Sequence, residues 1–177
     1  AVQTREKVGV TAAYNFATQN LGLSLVPEDM NVSPLGLGGL TYGLSTVEMA
    51  AAYAIFPNNG VYNEPRTYTK ITDQDGNVIL DNTNPPTRQV IKETTAFLLT
   101  SAMEDVVTKG TGTRAKFDGM SIAGKTGTST KTVDVWFSGY TPYYTCTVWT
   151  GYDNNVGMSS SSTNNEANIS KLLWKAV

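Results

Sequence analysis

The chain has 177 residues, 40% of them apolar and 16% charged, a composition that suits one folded globular domain and excludes a disordered segment. Its net charge of −2, with no basic patch, offers nucleic acid no electrostatic footprint. With no histidine, and with Cys146 as the single cysteine, it excludes Ser-His-Asp and Cys-His nucleophile pairs, an internal disulfide, cysteine-built zinc cages and most transition-metal sites.

The first predicted element is a helix. Val8, Ala12 and Phe16 recur at helical spacing beside Ala13 and Ala17, and Leu21-Gly22 is its stop. Residues 22–44 are rich in Gly, Pro and Leu and read as an ordered loop. Ser45 opens a second helix through a capping box with Glu48. Met49–Phe56 is its apolar body, and Pro57-Asn58-Asn59-Gly60 breaks it. Tyr68–Ile71 and Val78–Leu80 flank an acidic turn, Asp73–Asn77, and read as a β-hairpin. The turn's glycine falls too early for an EF-hand, so a solvated turn is preferred to a calcium loop.

Thr94–Val107 is the clearest helix, with Leu99, Ala102, Met103 and Val106 as its apolar stripe. After Gly110-Thr111-Gly112-Thr113 come three strand-like segments, Met120–Thr128, Val133–Tyr140 and Tyr144–Tyr152. Val133, Val135 and Phe137 fall on one face of their strand, Trp136 and Tyr140 on the other. A sheet with two apolar faces needs helices on both. Ser159–Asn165 is low-complexity and polar, a mobile loop by composition. Thr163 and Glu166 are positioned to cap a final helix, with Ile169, Leu172, Leu173 and Ala176 as its stripe. No repeat or domain boundary interrupts residues 1–177. No apolar run approaches the ~18 residues of a membrane span, and Ala1-Val2-Gln3-Thr4-Arg5 is no signal peptide. An exported protein of this kind would carry its targeting segment outside these residues.

One segment concentrates the chemistry, Gly119-Met120-Ser121-Ile122-Ala123-Gly124-Lys125-Thr126-Gly127-Thr128. Gly119–Thr126 fits the phosphate-binding pattern Gly-x-x-x-x-Gly-Lys-Thr, which needs a strand before it and a helix opening at Lys-Thr. Residues 110–118 are no buried strand, and the glycine and β-branched residues of 127–132 are costly in a helix. Nucleotide binding is therefore the minor reading. Lys125-Thr126-Gly127 is also the Lys-Thr-Gly element that accompanies Ser-x-x-Lys and Ser-x-Asn in penicillin-interacting enzymes. A strand lysine supplies a point charge for a carboxylate, threonine hydroxyls add hydrogen bonds, and a glycine lets another backbone approach. The Thr128 amide is then placed to donate to an oxyanion. Three residues alone are equally compatible with a solvated lysine on an edge strand.

Around that segment the chain resembles the transpeptidase domain of bifunctional, class A penicillin-binding proteins. Matching stretches are Gly110-Thr111-Gly112, Ala123–Thr128, Asp134 with Trp136, Phe137 and Gly139–Pro142, and Val148-Trp149 with Gly151–Asp153. Glu48–Ala50, Ala52–Ala54, Asn59–Tyr62 and Leu173–Lys175 follow the same order. The resemblance implies an α/β (α+β) fold, an antiparallel sheet flanked by helices, incomplete at its N-terminus. It implies D,D-transpeptidation of peptidoglycan through a serine acyl-enzyme, inhibited by β-lactams. Lys125, Thr126 and Thr128 would hold the substrate carboxylate, Thr128 would supply an oxyanion-hole amide, and Gly127 would keep the strand open. No cofactor or metal is implied. The location implied is the extracytoplasmic face of the bacterial membrane.

No serine here begins a Ser-x-x-Lys, and the only Ser-x-Asn, Ser162-Thr163-Asn164, falls after Lys-Thr-Gly, where the family has it before. It reads as coincidence. Ala1–Thr4 resembles the residues just past the family's Ser-x-Asn, so the chain reads as the C-terminal portion of the domain without its nucleophile. The expected partners are stem peptide, β-lactams, and either the N-terminal half of the domain or a second copy of the chain. The alternative is a non-catalytic interaction domain on the same fold.

Overall fold

The computed structural model describes residues 2–161, 163 and 165–177. The N-terminal helix is not continuous. Gly9, at φ 89°, separates α1 (Val2–Val8) from α2 (Val10–Asn15), and α2 widens into a π-type turn over Phe16–Asn20. The positive φ that glycine allows is what breaks the helical run. Residues 22–44 hold more than loop. Pro27–Asp29 forms one 3-10 turn, and α3 (Val32–Leu37) packs on α1 and α2. Asp29 is buried, and its carboxylate accepts from the Thr41 amide at 2.7 Å, the Thr41 hydroxyl at 2.8 Å and the Val26 amide at 3.1 Å, which ties this segment together.

α4 (Thr46–Tyr53) begins at the predicted capping box. The Ser45 hydroxyl accepts from the Glu48 amide at 3.2 Å, and the Glu48 carboxylate accepts from the Ser45 amide at 2.8 Å. The same carboxylate accepts from the Ser24 amide at 2.8 Å, so the box also anchors the incoming loop. β1 (Val61–Asn63) pairs with β4 (Thr87–Gln89), an antiparallel pair the sequence did not suggest. Between them β2 (Lys70–Thr72) and β3 (Val78–Asp81) form the predicted hairpin. Its turn is closed by Asp73, which accepts from the Asp75 amide at 2.9 Å and the Asn77 amide at 2.8 Å.

α5 (Glu93–Thr108) carries Ala96 and Val107 buried and Thr100, Met103 and Val106 half-buried, while Leu99 and Ala102 are exposed. The predicted stripe is therefore kept at Met103 and Val106 and lost at Leu99 and Ala102. β5 (Ala123–Thr128), β6 (Asp134–Tyr140) and β7 (Thr145–Gly151) form one antiparallel sheet with β6 in the centre. Val133 is left out of β6, in the helical region at φ −70°, ψ −42°.

The register places Thr126, Phe137 and Val148 side by side on one sheet face. α6 (Ile169–Ala176) covers it: Trp174 meets Phe137 edge-on with centroids 5.2 Å apart, and its indole N–H donates to the Cys146 carbonyl at 3.0 Å. Gly139 makes that approach possible, because a Cβ there would lie 2.7 Å from Phe137 and 3.0 Å from Trp174. Val107, Ala115, Ile122, Phe137 and Trp174 form this core. The opposite face is covered by α4 and the turn after it, where Phe56 stacks on Tyr140 at 6.1 Å, and by α5, whose Thr100 hydroxyl bonds the Tyr140 hydroxyl at 2.8 Å. Both sheet faces are thus dressed by helices, as the two apolar faces of β6 require.

The stripe predicted for α6 is displaced. Ser170, Lys171 and Trp174 are buried, whereas Ile169, Leu172, Leu173 and Ala176 are exposed. Glu166 does not open the helix through a capping box. Its carboxylate accepts from the Ser159 amide at 2.7 Å and the Tyr152 hydroxyl at 3.0 Å, and Asn168 is the N-cap. Ser162 and Asn164 of the Ser162-Thr163-Asn164 element, and with them part of the predicted Ser159–Asn165 loop, lie outside the described residues. Among the described residues no helix is long and apolar enough to cross a membrane.

Candidate functional site

Lys125, Thr126, Gly127 and Thr128 lie on β5, an edge strand whose only strand partner among the described residues is β6. No helix opens at Lys125-Thr126, so the backbone cradle that phosphate binding needs is not formed there. Strand alternation puts Lys125 and Gly127 on one face and Thr126 and Thr128 on the other. Lys125 and Thr128 are exposed, and Thr126 and Gly127 half-buried. The Lys125 ammonium donates to the Thr126 carbonyl at 2.7 Å, and among the described residues no acidic side chain pairs with it. Its positive charge therefore stands at the strand edge, available to an anion.

The strand is supported from beneath. Lys125 lies across from Ser138 and Gly127 across from Trp136, where a Cβ on Gly127 would stand 3.2 Å from the Trp136 Cβ. Gly124 is tighter, with a would-be Cβ 2.8 Å from both the Phe137 ring and the Ser138 carbonyl. Trp136 leans on Trp149 with centroids 6.5 Å apart, and the Trp149 indole donates to the Asp134 carboxylate at 3.0 Å. The Thr111 hydroxyl bonds the Thr126 hydroxyl at 2.8 Å, which brings the Gly110-Thr111-Gly112 loop onto the strand.

That Thr111 contact and the Asp134–Trp149 pair were not anticipated. The first had one signal, a glycine-flanked threonine ahead of the strand. The second depends on register, which puts Asp134 opposite Gly151 and so next to Trp149 across two strands. Two cavities among the described residues, of about 320 Å³ beside Trp149, Tyr152 and Ile169 and about 400 Å³ along Arg66–Lys70, do not include Lys125–Thr128. The candidate site is thus an edge strand that brings together charge, hydroxyls and an open backbone edge.

The profile of the family described as penicillin binding protein transpeptidase domain matches residues 5–173. The chain is 40% identical over 164 residues to penicillin-binding protein 1A of Clostridium acetobutylicum, covering 92% of this chain and 20% of that protein. It is 35% identical over 190 residues to penicillin-binding protein 1A/1B of Bacillus subtilis, covering 98% and 20%. The chain thus spans about one fifth of the length of these curated relatives. Among solved structures, PonA1 of Mycobacterium tuberculosis superposes with a TM-score of 0.74 at 25% identity, over 90% of this chain and 47% of that one. PonA1 in complex with penicillin V gives 0.71, also at 25% identity, over 93% and 46%. The D,D-transpeptidase domain of a peptidoglycan glycosyltransferase from Eggerthella lenta gives 0.68 at 22% identity, over 99% and 49%, a likeness of fold.

Proposed function

The chain belongs to the penicillin-binding protein transpeptidase family, and on that premise we propose that it is the Lys-Thr-Gly-bearing portion of a D,D-transpeptidase that cross-links peptidoglycan and is acylated by β-lactams. The enzyme is a serine-type acyltransferase working at the extracytoplasmic face of a bacterial membrane. Its serine, carried by another part of the domain, attacks the penultimate D-Ala carbonyl of a stem peptide. The bond to the terminal D-Ala breaks, and that residue leaves with the proton given up by the serine. An amine of a neighbouring stem peptide then attacks the ester, forming the cross-link and restoring the hydroxyl. With a β-lactam the broken C–N bond leaves the nitrogen tethered, and the ester persists.

In this reaction Lys125 supplies positive charge to the substrate's terminal carboxylate, and the Thr126 and Thr128 hydroxyls, on a common strand face, bond it. The Thr128 amide donates to the oxyanion. Gly127, bare of side chain, lets the substrate backbone run along the edge of β5. The observation that carries the proposal is the placement of an unpaired lysine and two alternating threonines on an exposed edge strand braced by Thr111 and Trp136.

The test is acylation of the full-length protein by a fluorescent penicillin, parent against Lys125→Ala. A charge-assisted hydrogen bond is worth about 1.5–3 kcal/mol, so acylation should slow by about one to two orders of magnitude. A solvated strand lysine contributes within about 0.5 kcal/mol to stability, so the melting temperature should hardly move. A folded variant that reacts at the parental rate removes the carboxylate-anchor role. A parent that is never acylated favours a non-catalytic interaction domain.

A further inference from the structure

The connection that leaves the Lys-Thr-Gly strand, residues 129–133, is backbone-strained. Lys131 sits at φ 61° and Thr132 at φ 58°. Two successive non-glycine residues at positive φ are unusual, and for a β-branched threonine the conformation is a genuine outlier. Such strain persists only where the surroundings over-determine it.

The surroundings here are specific. The Ser129 amide donates to the Asp134 carbonyl at 3.0 Å, the Thr132 amide to the Ser129 carbonyl at 3.0 Å, and the Asp134 amide to the Ser129 hydroxyl at 2.7 Å. These bonds close the turn on itself. What fixes it from outside is the β7–α6 connection: the Met158 amide donates to the Thr132 carbonyl at 2.9 Å, and Met158 is buried. Gly157 stands against the Lys131 carbonyl so closely that a Cβ there would be 2.4 Å from the oxygen. No side chain fits between the two segments.

We infer that Gly157 and Met158 form a strut that holds the strained 129–133 turn, and through it the position of Thr128. Both are positioning residues for carboxylate recognition, although they lie 29 and 30 residues beyond Thr128 and on the far side of β7 in the chain. The mechanical reasoning is short. Thr128 is the last residue of β5, its partner Val135 is the second residue of β6, and the turn between them sets how the strand end is presented. Displacing the Lys131 carbonyl displaces that end. A misplacement of about 1 Å at a binding group costs up to about 100-fold in rate.

This inference rests on the carboxylate-anchor reading above, and the experiment separates the two. In the full-length protein, acylation by a penicillin is compared with acylation by its methyl ester, which lacks the carboxylate charge. The parent should favour the acid. Gly157→Ala should slow reaction with the acid by about 10–100-fold and with the ester by much less, so the acid-to-ester ratio collapses. A merely structural loss lowers both rates together and leaves the ratio unchanged. Should Gly157→Ala fail to fold, the double variant Gly157→Ala/Thr132→Gly is measured, because glycine lets the turn move aside without strain. It too should have lost the ratio. A parent with no preference for the acid overturns the carboxylate anchor itself. A parent with that preference, retained in the folded Gly157→Ala or double variant, overturns the strut alone.

Discussion

Gly124 and Gly127 lie three residues apart on β5, on opposite faces, and serve different ends. The space that a methyl on Gly124 would take is filled by the Phe137 ring and the Ser138 carbonyl, each at 2.8 Å, whereas on Gly127 it would meet the Trp136 Cβ at 3.2 Å. Gly124→Ala should therefore overpack the core and cost about 1–3 kcal/mol, read as a lower urea midpoint. Gly127→Ala should lower the midpoint by less and, if the proposed substrate path is right, slow penicillin acylation, because its methyl projects on the Lys125 face. The reverse ordering of the two stabilities would show that close packing is not what keeps Gly124 bare. At this scale the sequence was readable wherever residue type alone carries chemistry: a lysine, alternating threonines and a glycine in one strand. It was silent where chemistry needs a partner from elsewhere. Thr111 meets Thr126, and Gly157 meets Lys131, only after the chain has folded.

Capping boxes are local, and the one at α4 was legible for that reason. Ser45 and Glu48 are three residues apart, and no tertiary contact is needed to pair them. Burial acts against the charged form of Glu48, but the bonds from Ser45 and Ser24 outweigh it, holding the carboxyl down at about 2 against an ordinary 4.5. A depressed carboxylate contributes stability that is present above about 4.5 and is lost as pH falls through about 2. Glu48→Gln should therefore cost about 1 kcal/mol near neutrality and flatten the stability profile between those two pH values. Equal slopes for parent and variant in acid would mean that the box does not hold this charge.

Helix phase was less readable. In α5 and α6 the periodicity predicted a helix correctly, but half of the buried stripe incorrectly in α5 and all of it in α6, because several apolar residues compete for the core and the sheet chooses among them. In α6 the site left open by Gly139 admits one large ring. Trp174 fills it and turns Leu172 and Leu173 outward. In α5 the contacts to Tyr140 and Phe137 draw Thr100 and Val107 inward, leaving Phe97 and Leu98 at 71% and 67% exposure.

Across the whole molecule those outward residues are the main unpacked surface. Phe97 and Leu98 on α5, Leu37 on α3, and Tyr143 and Tyr144 at the β6–β7 turn are all well exposed, and β5 and β7 are both edges of the sheet among the described strands. Apolar surface and open strand edges recruit partners. The chain by itself should therefore associate, either with a polypeptide that carries the rest of the domain or with a second copy. Light scattering combined with mass spectrometry of the same sample distinguishes the two. A stable monodisperse monomer of 19.0 kDa with no companion would show that this surface needs no cover.

On the proposal above, these residues provide the anion-binding wall of a transpeptidase whose nucleophile is carried elsewhere. Intact-mass analysis after incubation with a penicillin tests it most directly, on the chain alone and on the full-length protein. No serine here begins a Ser-x-x-Lys, and no histidine is available to activate one. The chain alone should keep its mass. The full-length protein should gain one penicillin on a serine outside residues 1–177. A stoichiometric adduct mapped to a serine within these residues would overturn that assignment, as would a full-length protein that gains no mass.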